Sequence, residues 1–297
     1  MALVGSYRER LIRDFDDVSL RYVEVLDASA IRPHNWDRGF IGFPHFYWAE
    51  SSPELQVRQM ALLADVKDLL ADVKDLETRI RLLFPHATPE VKCILKKSFG
   101  LLRRWVKRGT GDHSIPRSLD DAKVIAQKSI EDLKSLADFL PDDKWRVRLV
   151  ADTNTLIDNP DLAAYTSALG PRYMVHILPV VLRELDDLKR AGRTPELREA
   201  AKKADRRLKG LRENGDVRSG ARVQGDVYAV FEFIEPQEDG LPSWIDLTVP
   251  DDRLVASALL LQSRQPGSTV HVATGDLNLQ NKLAAVGLPF VELPDIQ

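Results

Sequence analysis

The spacing of apolar residues changes near the middle of the chain. Before about residue 145, apolar residues recur every three or four positions over long stretches, which is typical of amphipathic helices. From residue 146 onwards, short apolar runs alternate with helical patterns. We therefore predict two domains, a mostly α-helical one over 1–145 and an α/β one over 146–297. The segment PDDKW, 141–145, is the predicted linker between them.

The clearest helical pattern lies in 61–84 and contains an immediate duplication of LADVKDL. Its apolar residues alternate steps of four and three, as heptad positions do: Leu62, Val66, Leu69, Val73, Leu76, Ile80 and Leu83. β-Branched residues at one core position and leucine at the other are typical of parallel two-stranded coiled coils. Two interpretations stay open, a homodimer through the 62–83 heptad helix and a helix packed within its own domain, because three heptads do not separate them.

Two other segments of the first half have a functional and a structural interpretation. The predicted helix 90–109 is rich in lysine and arginine and has no acid after Glu90. It either contacts a phosphate backbone or is a solvated face balanced by the preceding acid-rich helix. The aromatic stretch 35–50 either packs against helices or provides a stacking surface for single-stranded bases. The segment 118–141 is predicted as a further amphipathic helix.

In the second half, four short apolar runs predict strands at 147–151, 173–179, 268–274 and 289–293. Helical patterns lie between them, at 160–169, 179–190, 195–213, 251–264 and 276–286. Strands that alternate with helices indicate a parallel sheet with helices on both faces. The segment 216–249 is harder to place, and its valine, tyrosine and phenylalanine residues predict an additional strand or hairpin.

The bulk composition changes this picture little. Hydrophobic residues make up 44% of the chain and charged residues 29%, as in ordinary globular proteins. The net charge of −3 gives no overall attraction for nucleic acid or for an anionic membrane, so any such attraction must be local. Cys93 is the only cysteine, which excludes an internal disulfide and a cysteine-based zinc cluster. Lacking a signal-peptide pattern and an apolar run of ~18 residues, the chain is expected to be cytoplasmic and free of membranes.

Acidic residues stand at the ends of the predicted strands and at the starts of the predicted helices. Ligands of a parallel sheet bind beyond the carboxyl ends of its strands. Asp152 ends the strand 147–151, and Asp276 follows the strand 268–274. Glu184 lies within two turns of Pro179, which opens a helix directly after a strand. A fourth acid begins the helix 251–264, where Asp251 is expected to be the N-cap and Asp252 to face the same edge of the sheet.

Four carboxylates at one edge repel one another by several kcal/mol at reduced dielectric. A divalent cation removes this conflict, and all-oxygen ligation suits Mg²⁺ or Mn²⁺. Such an ion activates water and stabilises charge on phosphoryl oxygens, as in metal-dependent nucleases. Each acid also has an ordinary structural role open to it, such as helix capping or an i,i+4 ion pair. Their coincidence at one edge favours the metal site.

The order of these motifs resembles the PIN domain, a ribonuclease fold, over about 146–297. VADTNTLID resembles the opening Asp-Thr-Asn strand end of the family, and LPVVLRELDDLK resembles its Pro-x-x-Val-x-x-Glu-Leu-Asp helix. DDRLVASALLL is similar to its Asp-x-x-Ile/Val-x-Ala helix, and VATGDLNLQNKLAAVGLP to its Thr-x-Asp element. The blocks most resemble the larger PIN subgroup found in PhoH-type and nonsense-decay proteins. The N-terminal half matches no known motif.

This resemblance implies a PIN-like nuclease domain that hydrolyses single-stranded RNA and leaves 5′-phosphate ends. One or two Mg²⁺ or Mn²⁺ ions would be held by four acids: Asp152, Glu184, Asp252 and Asp276. Asp252 is preferred to its neighbour because it has the family spacing to the next valine and alanine. Asn154 and Thr274 would support the ligands through hydrogen bonds. The alternative is an inactive PIN scaffold that binds RNA or a protein partner, against which the intact acid set argues.

A basic helix follows the Glu184 helix in the sequence. At helical spacing, four of its cationic residues share one face: Arg198, Lys202, Arg206 and Lys209. They are predicted to bind the backbone of a strand that enters the site, since phosphate contacts position nucleic acid without reading its sequence. The other interpretation is a soluble helix neutralised by its own acids, and we favour binding because an acidic site needs a cationic neighbour.

Overall fold

The computed structural model describes residues 5–32, 45–48, 53–107, 114–116, 118–238 and 240–293, with backbone alone for Arg32, 45–48 and 53–64. It divides into two compact units. The helical unit comprises Arg8–Leu140, and the α/β unit comprises Pro141–Gln297 together with Met1–Tyr7. The predicted linker 141–145 is thus the beginning of the α/β unit.

The described part of the helical unit consists mainly of long helices. They are α1 (Tyr7–Asp27), α2 (Pro53–Leu83), α3 (Pro89–Lys107) and α4 (Leu119–Lys134), the last followed by a 3-10 helix, Ser135–Phe139. The strands β1 (Ser29–Arg32) and β2 (His45–Trp48) form an antiparallel pair. Most of the aromatic stretch 35–50 lies outside the described residues. Among those described, no helix combines the length and hydropathy needed to cross a membrane.

The heptad positions of α2 are covered within the chain. Their described members from Leu69 to Leu83 are all buried: Leu69, Val73, Leu76, Ile80 and Leu83. Val66 is half-buried, and the side chain of Leu62 lies outside the described residues. The apolar seam is therefore used inside one molecule. This supports the interpretation as an intramolecular helix, and gives no support to a homodimer through the same seam.

The basic helix α3 is partly balanced by α2. Its apolar side chains, among them Leu95, Phe99 and Leu102, are buried. Its Arg103 forms an ion pair of 3.0 Å with Glu77 of α2. This is the balance of charge expected if the helix is a solvated face, although Lys92, Lys96 and Lys97 remain exposed.

Six strands of the α/β unit form one sheet in the order β5-β6-β4-β3-β7-β8. In chain order the strands are β3 (Val147–Ala151), β4 (Arg172–Ile177), β5 (Ala221–Gln224), β6 (Asp226–Phe231), β7 (Thr269–Ala273) and β8 (Phe290–Val291). The β5–β6 pair is antiparallel, and all other pairs are parallel. The predicted α/β class, a parallel sheet flanked by helices, is confirmed.

The helices of this unit are α5 (Thr153–Asp158), α6 (Thr166–Leu169), α7 (Pro179–Ala191), α8 (Pro195–Gly210), α9 (Pro250–Arg264) and α10 (Leu277–Ala285). Four of them match the predicted helices closely, but of the predicted helix 160–169 only its last turn forms. The helix α5 was not predicted, because six residues with two β-branched threonines lack a helical signature. The unplaced segment 216–249 contains the β5–β6 hairpin, which turns at Gly225 with φ of 55°.

The centre of the sheet is buried on both faces. Every residue of β7 is buried, as are all but the first residues of β3 and β4. Strands covered on both sides read as continuous apolar runs rather than as alternating patterns. This is why β3, β4 and β7 were recognisable in the sequence.

A chain of buried and half-buried polar groups crosses the sheet. It starts at Asp143, in the segment 141–145 that was predicted as a linker. Arg148 of β3 donates two hydrogen bonds, of 2.6 and 2.9 Å, to Asp143. Arg148 also donates to the Ser268 hydroxyl at 2.9 Å and contacts Nε2 of His176 on β4 at 2.9 Å, and Nδ1 of His176 lies 2.7 Å from Glu232. Burial lowers the pKa of His176, and Arg148 acts in the same direction. A neutral ring therefore accepts from Arg148 and donates to Glu232, which follows β6.

Gly267, just before β7, allows a close approach to the start of the unit. A Cβ at this position would lie 2.4 Å from the backbone nitrogen of Asp143 and 2.9 Å from the carbonyl oxygen of Pro141. We expect Gly267→Ala to lower the free energy of unfolding by roughly 1–3 kcal/mol, the usual cost of overpacking. Urea unfolding of the full chain measures this change. Gly210→Ala is the control, because nothing lies within 4 Å of its Cβ. Equal stability of the two variants would contradict the assignment.

Candidate active site

Asp152 is held between the ends of two neighbouring strands. It follows β3 directly and is the N-cap of α5, where its side chain accepts a 2.6 Å hydrogen bond from the Thr153 N–H. Its own N–H donates to the carbonyl of Ala273, the last residue of β7. The Thr274 hydroxyl donates to its second carboxylate oxygen at 3.3 Å. The capping role and the position at the sheet edge therefore coexist in one residue.

Glu184 reaches the same edge from α7. The helix starts at Pro179, immediately after β4, which is the neighbour of β3 in the sheet. The Thr153 hydroxyl donates a short hydrogen bond to Oε2 of Glu184. Since Thr153 is the residue next to Asp152, this bond joins the end of β3 to α7 and brings the two acids together.

The adjacent acids of α9 have different surroundings. Asp252 is buried and accepts a 2.9 Å hydrogen bond from the Asp246 N–H. Its other carboxylate oxygen forms an ion pair with Nζ of Lys282 at 2.7 Å. Asp251 is more exposed, lies 3.6 Å from Nζ of the same Lys282, and raises the pKa values of Asp152 and Glu184. Consecutive helical residues point about 100° apart, so the two carboxylates leave the helix in different directions.

The structure thus identifies Asp251 as a neighbour that raises the pKa values of Asp152 and Glu184, whereas the sequence favours Asp252 as the ligand, which stays a prediction. The expectation rested on the spacing to the apolar residues that follow. That spacing defines the buried stripe of α9, but it does not show which first-turn acid faces β3. The hydrogen bond from the Asp246 N–H to Asp252 distinguishes the two acids, since Lys282 lies 3.6 Å from Asp251 as well as 2.7 Å from Asp252.

Thr274 connects Asp152 with Asp276. Its buried hydroxyl donates to Asp152 and accepts a 3.1 Å hydrogen bond from the Asp276 N–H. Asp276 is exposed and caps α10 by accepting from the Leu279 N–H. Asp276 therefore lies on the same edge, two hydrogen bonds away from Asp152. The expected supporting bond of Thr274 is present.

Asn154, the other expected supporting residue, is exposed. In the described part of the chain, none of the hydrogen bonds involves its side chain. Thr153 makes the bond to Glu184 instead, and our reading of the sequence missed it. A hydroxyl directly after a strand-end acid is the signal that points to such a residue, although its partner, 31 positions away, is not visible in the sequence.

The acids concentrate negative charge in a partly buried place. Burial raises the pKa of Asp152 to about 6, and Glu184 and Asp251 add to the shift, against the hydrogen bonds from Thr153 and Thr274. Burial also raises the pKa of Glu184, as do Asp251 and Asp187. Beyond burial, the groups that raise these pKa values are anionic, and those that oppose them are hydrogen-bond donors without charge. Asp152 and Glu184 form no ion pair with the described residues, whereas Asp251 lies 3.6 Å from Nζ of Lys282.

The acids at this edge suit a metal site that is completed by water and substrate oxygens rather than by protein ligands alone. Among the described residues, no group of three or more His, Cys, Asp or Glu side chains is arranged to hold a metal ion by itself. Mg²⁺ is commonly bound through one or two carboxylates, several waters and the phosphates of the substrate. The arrangement of Asp152, Glu184 and Asp251 fits this mode and does not fit a closed cage of protein ligands.

The basic helix α8 packs against α5 and α7, next to the elements that hold Asp152 and Glu184. Its four expected cationic residues differ in their contacts. Arg198 donates a 2.6 Å hydrogen bond to the Gly192 carbonyl at the end of α7. Lys202 pairs with Glu199 and Lys209 with Asp205, both at 2.7 Å on the surface. Arg206 is exposed and has no ion pair with any described residue.

The comparison with protein families agrees with this architecture. The family model described as PIN domain matches residues 149–293, from β3 to the end of the described chain. No curated protein matches the chain. The match includes each acid at the edge of the sheet and both supporting threonines, Thr153 and Thr274. Residues 149–293 therefore belong to the PIN domain family, whose members are generally metal-dependent nucleases.

Proposed function

We propose that the chain is a Mg²⁺- or Mn²⁺-dependent ribonuclease that hydrolyses phosphodiester bonds of single-stranded RNA and leaves 5′-phosphate ends. The observation that supports this most is that Asp152 and Glu184, both at least partly buried, have no cationic partner among the described residues. Burial and neighbouring acids raise the pKa values of these two carboxyl groups, and Asp251, from a third element, contributes to both shifts at the edge of a PIN domain. A fold gains no stability from such repulsion, so we interpret it as serving a cation.

In this proposal Asp152, Glu184 and Asp251 hold the ion, and Asp276 lies at the margin of the site. When bound, the ion supplies Lewis acidity, which activates water and neutralises charge on the phosphate. The chain's other residues position these ligands. Thr153 orients Glu184 and Thr274 orients Asp152 through hydrogen bonds. Asp252 keeps the first turn of α9 in place through Asp246 and Lys282.

The proposed RNA contact uses α8 as well as the acids. Lys202, Arg206 and Lys209 are exposed, and their ion pairs are of the surface type that contributes about 0–1 kcal/mol. Such pairs exchange readily for phosphate contacts. Arg198 is assigned a different role, because its hydrogen bond to Gly192 stabilises the α7–α8 connection.

The nuclease activity is tested with labelled single-stranded RNA and DNA, incubated with the full chain in Mn²⁺ or in EDTA. We expect RNA to be cleaved in Mn²⁺ and not in EDTA. For Asp152→Asn and Asp251→Asn we expect kcat to fall on the order of 100-fold or more, as when an electrostatic stabiliser is removed. Asp252→Asn is expected to lower the free energy of unfolding by roughly 1–3 kcal/mol, since it removes the buried charge 2.7 Å from Lys282 and leaves that lysine only the more distant Asp251.

Asp251→Asn and Asp252→Asn form a matched pair of variants, because the two positions are adjacent and each substitution is isosteric. An inactive but fully stable Asp252→Asn together with an active Asp251→Asn would reverse their assigned roles. Binding of RNA without cleavage in every divalent metal would contradict the nuclease and favour the inactive scaffold.

The raised pKa of Asp152 makes stability depend on pH. Its pKa in the folded chain, about 6, exceeds the ordinary value of 3.8, so its carboxylate destabilises the fold increasingly as pH rises through about 6. In EDTA, Asp152→Asn is therefore expected to raise the free energy of unfolding by roughly 1–3 kcal/mol at pH 8 and to change it little near pH 3. Urea unfolding at both pH values measures this. A constant difference across the pH range would show that burial does not act on this carboxyl group.

Replacement of Lys202, Arg206 and Lys209 by alanine tests the role of α8. We expect weaker binding of a fluorescent oligouridylate, and a salt slope smaller by roughly one unit for each phosphate that the variant no longer neutralises. The matched control replaces Lys92, Lys96 and Lys97, three exposed lysines of α3, by alanine. If the control variant changes the slope and the α8 variant does not, the nucleic-acid contact belongs to the helical unit.

A further inference from the structure

Large apolar side chains are exposed around the acid cluster. Within the described α/β unit, three of them occupy segments at the carboxyl edge of the sheet: Phe233 (79% exposed), Trp244 (44%) and Leu277 (70%). Phe233 follows β6, Trp244 precedes α9, and Leu277 follows Asp276 directly. Single exposed apolar residues are normal, but several around one site suggest a binding surface.

The chain is anchored on both sides of Phe233, whose ring is exposed. The preceding Glu232 bonds to His176 at 2.7 Å, and its N–H donates to the Ile177 carbonyl at 2.9 Å. The following Ile234 is buried. Glu235, next in the chain, accepts two hydrogen bonds from Arg183, of 2.7 and 3.2 Å. The segment is therefore held on both sides of an outward-facing phenyl ring.

The residues that hold this segment also lie beside the acids. Arg183 immediately precedes Glu184 in α7, and it is the main partner of Glu235. Arg253 of α9 follows Asp251 by two positions and lies 4.0 Å from Glu235. The Phe233 segment is thus tied to both helices that bring acids to the site.

Trp244 is anchored in a similar manner on the α9 side. Two positions after it, the N–H of Asp246 donates to the buried carboxylate of Asp252. Between them, Ile245 packs against the hydrophobic core. The indole therefore belongs to a segment that is fixed to the first turn of α9, where Asp251 faces the acid cluster.

We infer that Phe233 and Trp244 are stacking surfaces for the bases of a single nucleic-acid strand whose backbone lies at the acid cluster. The inference rests on the proposed function and extends it to the origin of strand preference. Aromatic side chains stack on any base, because every base has a π-face. In a duplex these faces are covered by neighbouring base pairs, so exposed rings on anchored segments at the edge of the proposed phosphate site favour single strands.

Binding is measured in the Asp152→Asn chain, which separates it from cleavage. The probe is a fluorescent oligoadenylate with Mg²⁺, followed by anisotropy. We expect Phe233→Ala and Trp244→Ala each to weaken binding by roughly 5- to 100-fold, the range for loss of one base stack. Phe233→Trp is expected to retain binding, and affinity for a matched duplex is expected not to change. Phe139→Ala is the control, since Phe139 is 72% exposed in the helical unit.

A second measurement identifies stacking rather than general contact. Oligoadenylates with one abasic position are expected to bind less tightly to the Asp152→Asn chain, with a smaller loss once Phe233 is alanine. Equal affinities of the two alanine variants and the control overturn the inference, and would leave the rings available for a protein partner. Failure of the Asp152→Asn chain to bind the oligoadenylate also overturns it. Failure of the nuclease proposal is seen separately, as absence of cleavage by the unsubstituted chain.

Discussion

A buried carboxylate at the junction of β3 and α5 is the constraint on which the site depends. Asp152 receives hydrogen bonds from the Thr153 N–H and the Thr274 hydroxyl, which orient it without neutralising it. Burial and two neighbouring acids raise its pKa to about 6. An arrangement that keeps like charges together in a low-dielectric place opposes folding. The surrounding sheet must therefore supply the stability, as the continuous burial of β3, β4 and β7 does.

Strand order determines which elements meet at this carboxylate. Because β3 lies between β4 and β7, the segments that leave all three strands converge at one edge. The segment after β4 becomes α7 with Glu184, and the segment after β7 carries Thr274. The buried chain from Arg148 through His176 to Glu232 connects the interior of the same strands with the segment that presents Phe233. One hydrogen-bonded network thus links the core of the sheet to the rim of the site.

The sequence was informative where burial imposes a pattern and silent where orientation depends on remote partners. Fully buried strands produce apolar runs, so β3, β4 and β7 were predictable, and Asp152 stood out because it ends such a run. The different surroundings of Asp251 and Asp252 were not predictable, because they depend on the hydrogen bond from the Asp246 N–H to Asp252. The heptad pattern of α2 describes an apolar stripe, but it does not say whether the same chain or a second copy covers it.

The acid cluster also determines where binding energy for a nucleic acid must come from. Without a cation, phosphates and carboxylates repel each other, and an open site binds its ion fully only when substrate oxygens complete the coordination. Ion and substrate then increase each other's affinity by the same factor, because coupling between sites is reciprocal. The first contacts of an incoming strand must therefore lie outside the acids. In the proposed function, cations on α8 and exposed rings such as Phe233 provide them, so the rim of the site is as necessary to that function as the carboxylates.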